Sequence, residues 1–297
     1  MESIPENRLL KLPPGAVQNI RKIHDLDKPE RLEEAINILE EWIQKQDHIV
    51  KKDFSKEYLE KCLISCKGSV EKTKKQIDRC CTMRTMVPKF FSKTTLNLCD
   101  ISCRRQIPLP IITEDFYRVI VFKVTSDNFT AENFIQYYQY VVIASEYVKA
   151  HDYVNGFISR QDVVLKTIMC TEVNISIFLL QEGYGTRMKS ILILSESKAI
   201  QLLIKTMKQL VSEKIGNRIQ VLQSLEDLHR VVPKYILPVE YGGTERSLEI
   251  LHGKNDNELK SMTKHLLQIY QLQTILNRKF NEEYMGMPGA FRNLSVD

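Results

Sequence analysis

Residues Tyr117–Val124 read Tyr-Arg-Val-Ile-Val-Phe-Lys-Val, a run dense in β-branched and aromatic side chains. Such side chains suit a pleated, half-buried surface, so the run predicts a strand. Its place in the chain sets the architecture, because the patterns before it are helical and those after it alternate. Upstream, Pro29 opens a helical pattern with Leu32, Ile36, Leu39, Trp42 and Ile43 at spacings of three and four. A second helix begins around Asp53 and puts Tyr58, Leu59, Cys62 and Leu63 on one face. Gly68-Ser69 breaks it, and Ser69 caps a third carrying Val70, Thr73 and Ile77. Together they make a small helical unit ending near Pro88. Downstream come a helix over Asn133–Ala150, strands over Val154–Val164 and Arg187–Leu194, and an amphipathic helix over Ile200–Ile219. Strands separated by helices predict an α/β layer with a mainly parallel sheet. A last helix is expected from about Asn257 to Phe280, striped with Leu259, Met262, Leu266, Ile269 and Leu276. The expected division is 1–90, 91–250 and 251–297.

The 297 residues suffice for one large or two modest domains with a sizeable core. A net charge of +5, from 42 Lys+Arg against 37 Asp+Glu, is too mild to point to nucleic acid. The first fifteen residues are polar and proline-broken, so no secretory leader is expected, and no apolar run is long enough to span a bilayer. Seven cysteines, an odd number, fit free thiols in a reducing cytosol. Cys62/Cys66 and Cys99/Cys103 sit four apart and Cys80-Cys81 are adjacent. None forms a CxxC pair, and no metal site is expected.

Catalytic constellations are missing too. The chain has no GxSxG elbow, P-loop, HExxH or GxGxxG. The histidines at 24, 48, 151, 229, 252 and 265 are scattered among charges and read as solvated surface residues. Glu240, beside Tyr241-Gly242-Gly243, reads as a loop-anchoring carboxylate. The expectation is a protein without covalent chemistry or cofactor.

Spaced cations are what the sequence does offer. Lys214 and Arg218 lie four apart on a helix, and Arg187 and Lys189 two apart on a strand, so each pair shares a face. They can simply solvate an outer surface, or converge on an anionic headgroup through charge-assisted hydrogen bonds. Lys205 and Lys208 add charge to a helix whose other face carries Ile200, Leu203, Ile204, Met207, Leu210 and Val211. That stripe is either core packing or the cover of a ligand cavity. In the strand Asn155–Asp162, alternation puts Phe157, Ser159 and Gln161 on one face. Such a strand is either partly exposed or turns a polar face to ligand or water.

Three groups of segments give the chain a relative. RLEEAINILEEWIQKQDHI, DFSKEYLEKCLISCKGSVEKTKKQID and MVPKFFS, then IPLPIITEDFYRVIVFKV, then LVSEKIGNRI and PKYILPVEYGG resemble the CRAL-TRIO lipid-binding family. Within it they are most similar to the alpha-tocopherol and retinaldehyde carriers and their insect relatives. The likeness runs from about Val17 to about Thr244, and the spacing from Lys214 to Gly243 agrees as well as the residues. The resemblance implies a helical N-terminal domain followed by an α/β bowl, whose apolar cavity is closed by a mobile lid helix. The tocopherol carrier's basic residues for phosphoinositide headgroups fall on Arg187, Lys189, Lys214 and Arg218. The family's cavity-facing strand positions fall on Phe157, Ser159 and Gln161, and the cavity is expected to draw also on Tyr140 and Ile143 of the preceding helix, on Leu179 and Leu180, and on Met188 and Ile191. Leu203 and Met207 close it from the lid. The family's proline within the lid helix is Gln209 here.

The resulting expectation is a cytoplasmic, monomeric carrier of a hydrophobic small molecule, acting reversibly at phosphoinositide-containing endomembranes. The ligand is expected to have a polar end, as in a retinoid, oxidised carotenoid, tocopherol-like phenol or phospholipid. The alternative is a lipid-sensing adaptor whose occupancy regulates a protein or membrane contact.

Overall fold

The structure is a computed structural model that describes residues 9–86, 104–124, 139, 141–142, 144–145, 147–149, 151–161, 186–210 and 213–254. Four helices come first: α1 (Ala16–Ile23), α2 (Pro29–Gln44), α3 (Lys56–Ser65) and α4 (Val70–Met86). Each forms for a local reason. Pro29 occupies the first turn of α2, where its missing N–H costs nothing. The Ser55 hydroxyl caps α3 by accepting from the Tyr58 N–H. Ser69 accepts from the Lys72 N–H at 3.4 Å to start α4. Their apolar stripes meet in one core of Ile20, Ile36, Leu39, Ile43, Leu59, Leu63, Ile77 and their neighbours, with Trp42 and Tyr58 at its margin. Cys62, Cys80 and Cys81 are buried in it, and burial pushes the Cys62 thiol up to about 11.

Five strands follow in the spatial order β1 (Arg104–Ile112), β2 (Tyr117–Val124), β3 (Gly156–Gln161), β4 (Met188–Leu194) and β5 (Ile219–Leu222). β1 runs antiparallel to β2, and every other pairing is parallel. The expected α/β architecture with a mainly parallel sheet is present. Two strands exceed the expectation. β1 contains Pro108 and Pro110, which cannot donate to a ladder, and it survives because it is an edge strand. β5 corrects the helix expected over Ile200–Ile219. That helix, α5, covers Lys198–Leu210, a four-residue turn (α6) covers Glu213–Gly216, and Ile219 already pairs with Ile191. Within the expected strand Val154–Val164, the extended part is Gly156–Gln161, and residues 162–164 lie outside the described residues. The expected helix Asn257–Phe280 lies outside them as well, as do the masked positions of Asn133–Ala150. The described residues from 139 to 149, and His151, are helical.

The sheet separates two apolar layers. One face packs Ile107, Val119, Val121, Ile158 and Leu192 against α7 (Leu225–Val231) and the segment through Tyr241 to Leu251. The other packs Met188, Ile191, Ile193 and Ile219 against Ile200 and Ile204 of α5. Arg118 ties the layers to the chain's start. It is fully buried, and its guanidinium donates to both oxygens of Asp152 at 2.7 and 2.8 Å. Its remaining donors reach the carbonyls of Leu109 (3.0 Å), Pro110 (2.5 Å) and Lys11 (3.3 Å). A buried ion pair is tolerable only when every lone pair and proton is satisfied in this way.

Candidate functional site

The α5-facing side of the sheet is a grid fixed by register. Across the strands, Phe122, Gln161 and Ile193 form one row, and Ile120, Ser159, Ile191 and Ile219 the next. Arg118, Phe157 and Met188 form a third. Register between β3 and β4 slips by one residue after Phe157, which pairs with Met188 while Ile158 pairs with Ser190. The slip matters, because Met188 and Ile191 are three apart and would otherwise point to opposite faces. Both join the cluster under α5.

The helix covers only half of this grid. Over the β1–β3 half lies a cleft holding about 800 Å³ of empty space, part of it open to solvent. Its floor is Gln106, Ile120, Phe122, Phe157 and Met188. Its walls are Ser145, Val148 and Lys149 of the helical segment, Asp152–Val154 beyond it, and Lys61, Ile64 and Ser65 of α3. Phe157 and Met188 therefore belong both to the cleft and to the edge of the α5 cluster.

Of the positions expected to line a cavity, Phe157 and Met188 line this cleft. Ile191 and Leu203 pack with them under α5. Ser159 and Gln161 bond to each other, the Gln161 amide donating to the Ser159 hydroxyl at 2.6 Å. Tyr140, Ile143, Leu179 and Leu180 lie outside the described residues, as does the Met207 side chain. Sequence reasoning missed Lys61, Ile64, Ile120, Phe122, Val148 and Lys149. A signal existed for two of them: Val119–Phe122 is apolar without alternation, as a strand covered on both faces must be.

Beside the cleft, cations gather. Lys67 follows α3 in a left-handed conformation (φ 58°) and is exposed to solvent. Its ammonium is held below the usual lysine range, first by Arg187, then by burial, then by Lys72, Lys214 and Arg218. Three of the four expected headgroup residues thus share one electrostatic neighbourhood with a lysine from the helical unit. Gly156 permits this, since a Cβ there would stand 2.4 Å from the Arg187 carbonyl oxygen. Arg187 Nη1 donates to the Asn155 side-chain oxygen and, at 3.3 Å, to the Asn155 carbonyl. The fourth, Lys189, is exposed but engaged by Asp115 and lies 4.8 Å from the Tyr117 ring centroid. Burial raises Asp115, but its bonds from Lys189 and Thr113 outweigh that and leave it below the usual carboxylate range.

None of the five described histidines is exposed, which corrects the surface expectation: His24 is buried, and His48, His151, His229 and His252 are half-buried, His48 against Asp78. His24 is buried at the end of α1 and meets Asn155 Oδ1 through Nε2 at 3.0 Å, which requires the proton on Nε2. Burial, Arg187 and Lys67 keep its pKa below the ordinary 6.5, against the opposing bond to Asn155 and charge of Asp25. His229 is half-buried and donates from Nε2 to the Tyr241 carbonyl at 2.8 Å. Glu240 anchors its loop by accepting from the Leu248 N–H at 2.8 Å. Among the described residues no group of three or more histidine, cysteine or carboxylate side chains could hold a metal. None of the helices they form is long and apolar enough to cross a membrane.

Comparison with known proteins adds two family matches. Residues 28–101 match the family described as "Pinta-like, UBA domain", and residues 117–243 match "CRAL/TRIO domain". The mouse (Mus musculus) protein "Alpha-tocopherol transfer protein-like" is 38% identical over 72 residues, which are 24% of this chain and 21% of that protein. Its human (Homo sapiens) counterpart is 36% identical over the same share. The matched segment thus spans about a fifth of these relatives' length. The solved structure of Sfh5 aligns over 86% of this chain and 100% of its own, at a TM-score of 0.41 and 11% identity.

Proposed function

The chain belongs to the CRAL-TRIO family through residues 117–243, and from that premise we propose that it carries one hydrophobic small molecule and exchanges it at phosphoinositide-containing membranes. The observation that carries this reading is a sheet face that α5 covers only in part. An amphipathic helix, α5, packs Ile200, Leu203 and Ile204 over β4 and β5, while the apolar floor continues beyond it into the cleft. Apolar ligand surface buried there contributes roughly 25 cal/mol per Å². As the cover of that floor, α5 would swing aside as a lid does. No covalent step is needed.

The cations around Lys67 supply the membrane half of the reading. Near an anionic leaflet each contributes roughly 1 kcal/mol, which suits reversible docking of a cytosolic monomer. Replacing Lys214 and Arg218 with Ala should therefore weaken binding to phosphoinositide vesicles by about 2 kcal/mol, or roughly thirtyfold. Ligand occupancy should stay unchanged, and transfer between vesicles should slow in proportion. Vesicle binding that is indifferent to both substitutions at low salt, where surface charges act most strongly, contradicts the docking site. A protein that holds ligand yet never accelerates transfer is an adaptor instead.

A further inference from the structure

Resting on the headgroup reading of the cations around Lys67, we propose that His24 is a proton-linked member of that site: a polyanion of the inositol-phosphate type, bound against Arg187 and Lys67, is taken up together with a proton on His24. Four chain segments converge there: the end of α1 at His24, the end of α3 at Lys67, Asn155 before β3 and Arg187 before β4. A Cβ on Gly68 would stand 2.5 Å from the His24 carbonyl oxygen, so the residue after Lys67 sits directly on the end of α1. The side-chain oxygen of Asn155 is the hub. It accepts from His24 Nε2 at 3.0 Å and from Arg187 Nη1, and these two nitrogens stand 3.4 Å apart. The Asn155 amide nitrogen donates to the Asp115 carbonyl at 3.3 Å, which fixes the amide with its oxygen toward His24 and Arg187.

The charges that bear on the imidazole are Arg187 from the sheet, Lys67 from the helical unit and Asp25 beside it, with the neutral Asn155 between. Burial, Arg187 and Lys67 keep the ring neutral, and Asn155 and Asp25 only partly oppose them. Lys67 in turn feels Arg187, Lys72, Lys214 and Arg218, so His24 lies at the buried edge of the whole cation cluster. An anion laid on Arg187 and Lys67 cancels the two charges that repel a proton from the ring. The proton then binds at Nδ1, because Nε2 already carries one, and the imidazolium keeps its bond to Asn155. The charge gained attracts the anion in return, so proton and anion bind cooperatively. In the free chain the ring takes up its proton only below the ordinary 6.5, and in the complex it does so at higher pH. Anion affinity therefore rises as pH falls through the complex's value and levels off below the free chain's. An anionic leaflet concentrates protons at its surface, which favours the same step.

The probe is myo-inositol hexasulfate, whose sulfates stay ionised throughout, so any proton taken up belongs to the protein. By isothermal titration calorimetry the wild-type chain should bind it about threefold or more tighter at about pH 6 than at about pH 7.5. Buffers of different ionisation heat should show net proton uptake on binding, and His24→Gln should lose that uptake and flatten the pH dependence. The His24 ring resonance, followed by NMR on the wild-type chain, should titrate at higher pH with the probe than without it. That measurement decides the matter even if His24→Gln does not fold. An unmoved His24 titration, an affinity independent of pH, or proton uptake that survives in a folded His24→Gln variant overturns the linkage and leaves the headgroup reading intact. If the wild type binds neither the probe nor phosphatidylcholine vesicles containing phosphatidylinositol bisphosphate, the headgroup reading fails and the linkage with it. Where the probe shows the linkage, binding of those vesicles as well assigns the anion to a lipid headgroup, and no vesicle binding assigns it to a free polyphosphate.

Discussion

At the scale of single residues, close approach sets sharper limits than chemistry does. A Cβ on Gly243 would stand 1.9 Å from the Leu237 carbonyl oxygen, so the turn that follows Tyr241 exists only because that position is bare. Gly243→Ala should cost about 2–3 kcal/mol in urea unfolding. Gly253, in the helical residues 248–254, has nothing within 4 Å of its virtual Cβ. Gly253→Ala should stabilise by about 0.5–1 kcal/mol, because it removes only unfolded-state freedom. Equal effects at the two sites would mean that the turn is not packed as described. The sequence showed the Gly242-Gly243 turn as a pattern, but not Leu237 pressing on it. Arg118 is a similar case. Its partner Asp152 lies 34 residues away, so nothing local marks this arginine as buried. His24 looked like a solvated residue because its neighbours in sequence are charged; the neighbour that buries it, Asn155, is 131 residues distant.

At the scale of elements, periodicity was legible wherever a segment packs one face locally. The stripes of α2, α3 and α4 and the β-branched runs of β2 and β4 could be read directly. β1 was obscured by two prolines that only an edge position tolerates, and β5 by its four-residue length directly behind α6. The slip between β3 and β4 was also invisible, although it places Met188 and Ile191 together. The junction of α1 with β3 carries a prediction of its own. His24 is neutral in the fold, with Asn155, Asp25, Lys67 and Arg187 around it, while the unfolded chain takes up its proton near the ordinary 6.5. The unfolded state therefore binds more protons as pH falls below that value. The stability contributed here is whole above about pH 6.5 and drains away as pH drops through the lower folded value. His24→Gln should flatten the stability profile below about pH 6.5, read by urea midpoints at several pH values. A profile as steep as the wild type's would place the acid-sensitive group elsewhere. Asp115 and Glu245, both below the usual carboxylate range, give up their stability only in more acid solution.

At the scale of the molecule, the cleft joins parts that are far apart in sequence. Its wall on α3 belongs to the helical unit, its floor to the sheet, and its edge to the strands that α5 covers. The cations around Lys67 likewise combine Lys67 and Lys72 of the helical unit with Arg187, Lys214 and Arg218. A ligand in the cleft would touch both parts, so occupancy should stabilise the whole chain by mass action, by about 2.7 kcal/mol at a hundredfold excess over Kd. The central claim is that this chain holds one hydrophobic molecule on its sheet, and native mass spectrometry tests it most directly. The account predicts one amphiphile-sized mass per chain after incubation with a lipid extract, removed by organic solvent and missing in a folded Phe157→Lys variant. A bare-chain mass after that incubation, or an adduct that persists in the Phe157→Lys variant, would contradict it.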